Sequence, residues 1–116
     1  MNVDKNIIKS KIEELNQTGS AAIFEIGEHY VQLAVNSPGE MICEAVSHHY
    51  HSAINISLES SFAAMGFHLE EGGNYSRVYS VKTEEEINKL SEDIEKIFKD
   101  LYQADESLPY AITDVE

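Results

Sequence analysis

Between residues 20 and 47 three strand-patterned runs stand almost end to end: "SAAIFEIG", "HYVQLAVN" and "EMICEAVS". Gly27-Glu28 joins the first two, and "SPG" separates the second from the third. Links this short leave no room for a crossover, so consecutive runs must pair as antiparallel neighbours. A three-stranded meander is therefore the nucleus of the fold. Strand alternation places Ile42, Glu44 and Val46 on one face of the third run and Met41, Cys43 and Ala45 on the other. The second set is the more apolar, which assigns it to the core.

The meander is flanked by helical patterns. Val3, Ile7, Ile8, Ile12 and Leu15 recur at helical spacing, predicting a helix over about 4–17 that ends at Gly19. "SLESSFAAMG" predicts a short helix with Ser57 as N-cap, Leu58, Phe62 and Met65 on one face, and Gly66 as its stop. "FHLEEGGNYSRVYSV" predicts a further hairpin turning at Gly72-Gly73-Asn74. Thr83 followed by Glu86 is a capping box. Behind it Ile87, Leu90, Ile94, Ile97, Phe98 and Leu101 form one apolar stripe, and Glu92–Lys96 and Glu95–Lys99 are spaced as i,i+4 pairs. Beyond Tyr102 periodicity is lost. The predicted order is α-β-β-β-α-β-β-α: an α+β domain over 1–104, with an antiparallel sheet of about five strands flanked by three helices. Residues 105–116 are expected to form a mobile acidic tail.

Charge narrows the class of partner. The chain of 116 residues has 21 acidic and 8 basic residues, a net charge of −13. No Lys or Arg occurs between Lys11 and Arg77. Nucleic acid and anionic membranes both select clustered cations, so neither is expected as a partner. A basic or amphipathic protein partner remains open. The start lacks the charged and apolar regions of a secretory signal, and a lone cysteine makes no internal disulfide; both favour a cytoplasmic location.

Chemistry-bearing residues are sparse. His48, His49 and His51 gather at the end of the third strand, and two of them one pleat apart suit a chelating pair. A zinc site needs at least a third ligand, and His29, Glu44 or His68 would have to be brought from elsewhere in the chain. The alternative is a polar strand end running into a loop. Cys43 lies among apolar neighbours with no nearby cation to stabilise a thiolate, which reads as a buried structural thiol. Glu84, Glu85 and Glu86 suit the positive end of a helix dipole. No glycine pattern cradles phosphate. No catalytic residue, metal or cofactor is assigned on these grounds.

Several short motifs occur in a telling order: Tyr30-Val31-Gln32 in a strand, Glu44-Ala45-Val46-Ser47 at a strand end, Phe62-Ala63-Ala64-Met65-Gly66-Phe67 closing a helix, and Asn74-Tyr75 opening a strand. Together, over residues 20–102, they resemble the type III secretion chaperone-like superfamily, in particular its TY-Chap and YbjN-type domains. The chain departs from the pattern at His48, Met65 and Phe67, where the family often carries Asn, Leu and Trp. The resemblance implies a non-enzymatic, cytoplasmic homodimer that holds an extended segment of a client protein. A client strand added at a sheet edge fits that role. Ile94, Phe98 and Leu101 of the last helix are the first candidates for the dimer contact. Tyr30, Gln32 and Ala34 of the second strand are the next. A small metal- or ligand-binding protein built on the histidine cluster is the competing expectation.

Overall fold

The computed structural model describes residues 5–26, 29–45, 57–69, 74–101 and 110–115. Three helices and one antiparallel sheet account for them, in the predicted order with one strand added at the end. Helix α1 spans Lys5–Thr18, α2 Ser57–Ala64 and α3 Glu84–Lys96; the strands are β1 Ala21–Ile26, β2 His29–Ser37, β3 Glu40–Ala45, β4 His68–Leu69, β5 Tyr75–Ser80 and β6 Tyr110–Val115. The sheet order is β4-β5-β3-β2-β1-β6.

The meander forms as its short links require. Ile26 and His29 are register partners across the first hairpin, as are Ser37 and Glu40 across the second. Between the latter, Pro38 presets one turn position while Gly39 takes a φ of +78° that side chains resist. A Cβ there would also lie 2.7 Å from Cγ of Lys82. Helix α1 stops at Gly19 (φ +72°), whose N–H donates to the Leu15 carbonyl at 2.8 Å.

Helix α3 opens on the predicted capping box. The Glu86 N–H donates to Thr83 Oγ1 at 3.2 Å, and the Thr83 N–H donates to Glu86 Oε1 at 3.0 Å. The Lys82 N–H shares that carboxylate, also at 3.0 Å. Helix α3 continues into a wider π turn over Ile97–Leu101. Lys99 meets Glu95 at 3.7 Å as its spacing implies, while Glu92 is met by Lys5 of α1 at 3.3 Å.

All three helices pack on the same face of the sheet. Ile8, Ile12 and Leu15 of α1, Phe62 of α2, and Leu90, Ile94, Ile97 and Phe98 from α3 and its π turn are buried together. They close over Phe24 of β1, Leu33 of β2, Met41, Cys43 and Ala45 of β3, and Tyr75 of β5. Met41, Cys43 and Ala45 are thus the core set that alternation selects. Phe62 stacks on Tyr75 with ring centroids 4.4 Å apart and meets Phe67 edge-on at 5.3 Å.

The end of the chain corrects the sequence reading. Residues 110–115, assigned there to a mobile tail, form strand β6 in full antiparallel register with β1, from Ala21↔Val115 to Ile26↔Tyr110. Ile112, opposite Phe24, packs against the core, and Asp114 pairs with Lys11 of α1. Strand β6 alone has weak apolar alternation; its pairing depends on the β1 edge that the rest of the chain builds.

Candidate protein-binding face

The residues singled out in the sequence fall in three different places. His48, His49 and His51 lie outside the described residues. Among the described ones, no group of three or more His, Cys, Asp or Glu side chains is placed to hold a metal ion. Cys43 is wholly buried in β3. Burial pushes its thiol well above the usual range, and the charges of Asp93 and Glu44 push it further. It is held as a neutral thiol, the opposite of an activated nucleophile.

Ile94 and Phe98 are completely buried in the chain's own core, and Leu101 is half-buried against it. The expectation that this stripe contacts another copy is therefore corrected for Ile94 and Phe98. Their surface is already taken by α1 and the sheet, and a side chain with no exposed surface cannot touch a second chain without unfolding the first.

Beneath α3 lies a polar cluster that sequence reading did not find. Asp93 sits on the buried side of the helix with its side chain only 7% exposed. It accepts a hydrogen bond from the Tyr79 hydroxyl at 2.7 Å, and Lys89 approaches at 3.1 Å and Arg77 at 3.7 Å. The Arg77 guanidinium lies 4.3 Å from the Tyr79 ring centroid and also donates to the Met65 carbonyl. Burial raises the Tyr79 phenol far above its ordinary value, helped by Cys43 and by the bond to Asp93. Arg77, Val78, Tyr79, Ser80, Glu85, Glu86 and Lys89 line a shallow groove of about 310 Å³. Each polar group of the cluster is used by its neighbours, so it locks α3 to β5. The signal for it was Asp93 falling between Leu90 and Ile94 on the apolar stripe.

Gln32 and Ala34 lie on the sheet face turned away from the helices, the alternate positions to buried Val31 and Leu33, while Tyr30, also at an alternate position, is partly buried and packs against the core. The Tyr30 hydroxyl donates to Asn74 Oδ1 at 3.5 Å, at the margin of hydrogen-bonding range. Register on this outward face brings together residues far apart in sequence. Val115 pairs with Ala21, Ala21 with Ala34, Ala34 with Ile42, and Ile42 with Val78. The result is an unbroken apolar row across five strands, about 19 Å long at ordinary strand spacing. Val78 at its end is 53% exposed, the most exposed large apolar side chain among the described residues. The row was invisible in the sequence because each strand contributes a single residue to it.

No family model matches the chain, and neither a curated protein nor a solved structure matches it significantly. Among the described residues no helix is long and apolar enough to cross a membrane.

Proposed function

We propose that the protein is a non-enzymatic, chaperone-like binding module that holds a segment of a client protein against the outward face of its sheet. One observation carries this reading: the apolar row from Val115 to Val78 on a face that none of the described helices covers. Contiguous apolar surface of this kind marks a place where another chain gains by burying it. The resemblance to secretion chaperones points the same way, and Gln32 and Ala34 belong to the same face.

In the same reading the protein is a homodimer, joined not by its last helix but by the edge of β6 that no described strand pairs with. Among the described residues that edge presents six residues of strand, whereas β4 at the opposite edge has two. Unpaired strand edges recruit other strands. The edge of β1 is already occupied by β6, so strand addition there is closed.

The test is suppression of aggregation. Added in equimolar amount to a chemically unfolded test protein diluted into buffer, the intact protein should reduce light scattering. The Val78→Glu variant, altered only at an exposed position, should keep its circular dichroism and lose the effect. Absence of suppression by the unmodified protein would refute the holding function.

A further inference from the structure

We infer that the segment held on the outward sheet face is cationic, with apolar side chains flanked by Lys or Arg. The inference rests on the protein-binding reading and names the chemistry of its client. It follows from where the chain's charges are and where they cannot be. On the outward face the charged residues of the described strands are Glu25, Glu40 and Glu44, all acidic. Along β3, Glu40 and Glu44 stand on either side of Ile42, each about 7 Å from it along the strand. They flank the apolar row on both sides.

Among the described residues no Lys or Arg forms an ion pair with them. The chain's eight Lys and Arg residues all lie in described segments. Six are on α1, α3 and the π turn. Lys82 lies between β5 and α3 with its side chain against Gly39, the chain neighbour of Glu40, and makes no ion pair with Glu40 among the described residues. Arg77 alternates with Val78 and so faces the core side, where Tyr79 and the Met65 carbonyl hold it. The α1 lysines are engaged as well: Lys5 by Glu92, Lys9 by Glu84, and Lys11 by Glu14 and Asp114. Glu40 accepts a hydrogen bond from Asn36 at 2.7 Å, a neutral partner that leaves its charge in place. Glu25 and Glu44 make no ion pair among the described residues. The segments outside those residues contain no Lys or Arg, so they cannot supply one either.

An apolar strip between carboxylates that make no ion pair among the described residues favours a ligand that brings cations to both sides of an apolar stripe. A second copy of this chain is the wrong occupant. Face-to-face pairing about a twofold axis would bring Glu25, Glu40 and Glu44 of each copy together with no cation paired to them on either, and like charges opposed in this way repel. A nucleic acid brings phosphates and is rejected for the same reason. The remaining complement is a protein segment of about six residues if extended, enough to span the row at roughly 3.3 Å per residue.

The experiment uses the full chain and fluorescent peptides of equal length that alternate Val with Lys, Val with Ser, or Val with Glu, read by fluorescence polarisation. The Val/Lys peptide should bind, more weakly as salt is raised. The Val/Glu peptide should not bind. The double variant Glu25→Gln/Glu44→Gln should weaken Val/Lys binding about threefold to tenfold. A double variant on the helical side, Glu92→Gln/Glu95→Gln, changes net charge equally and should leave binding as it was. Equal affinity for Val/Ser and Val/Lys would overturn the cationic client while leaving the binding reading intact. No binding of any peptide would overturn both. Equal weakening by the two double variants would reduce the effect to bulk acidity and also overturn the inference.

Discussion

Cys43 and Tyr79 show how burial decides what a side chain can do. Both sit in the core, and both protons are harder to remove than usual, mainly because burial disfavours the anion. Their ordinary values are 9.0 and 10.0, so the unfolded chain ionises them well before the folded chain does. The stability they contribute is fully present below about pH 9 and is lost as pH rises above it, by up to about 1.4 kcal/mol per pH unit for each group. The urea midpoint should hold steady from neutral pH to about pH 9 and then fall. In Cys43→Ala the fall should be shallower by about one proton, as read from midpoints in a pH series. An alkaline limb identical in the two proteins would show that the thiol does not contribute. Asp93 makes the complementary case. Its carboxylate is buried but bonded by Tyr79, so Asp93→Ala leaves a buried hydroxyl without its acceptor and Arg77 and Lys89 without their anion. The expected loss is about 2–4 kcal/mol by urea denaturation; a cost within error of zero would mean that solvent takes over the role.

Among the elements, α3 is where propensity and tertiary packing agree most closely. Its capping box satisfies backbone donors at the start, and its buried stripe supplies the packing energy that a thirteen-residue helix lacks by itself. Thr83→Ala should cost about 1 kcal/mol. Phe98→Ala, which empties a fully buried aromatic site, should cost about 3–5 kcal/mol. The second substitution also separates core from interface: the urea midpoint should fall steeply while the oligomeric state measured by light scattering at fixed concentration stays that of the unmodified protein. A change in oligomeric state with unchanged midpoint would return Phe98 to the interface. The wide π turn over Ile97–Leu101 begins as Ile97 and Phe98 enter the core, and the buried stripe continues through it.

At the scale of the whole molecule, the sheet has one face spent on folding and one that no described helix covers, and its last strand comes from the end of the chain. Ile112→Asp should release β6, seen as loss of hydrogen-exchange protection over 110–115 and at the β1 groups that face them, with α3 still protected. Uniform loss of protection would instead mean that β6 unfolds only with the whole domain. Local rules determined much of this architecture. Two- and three-residue links can only be hairpins, a Thr–Glu capping box can only be a helix start, and alternation alone put Met41, Cys43 and Ala45 inward. Strand β6 was not legible, because a six-residue edge strand with one core side chain has no pattern of its own until β1 offers it hydrogen bonds. The interface assignment for Ile94 and Phe98 failed for a related reason. An apolar stripe announces burial, but only packing decides whether α1 and the sheet or a second chain provides it. The apolar row and its flanking glutamates came from tertiary structure alone. Sequence sets which face each residue takes along its own strand, whereas cross-strand register, a property of pairing between distant segments, sets which residues become neighbours.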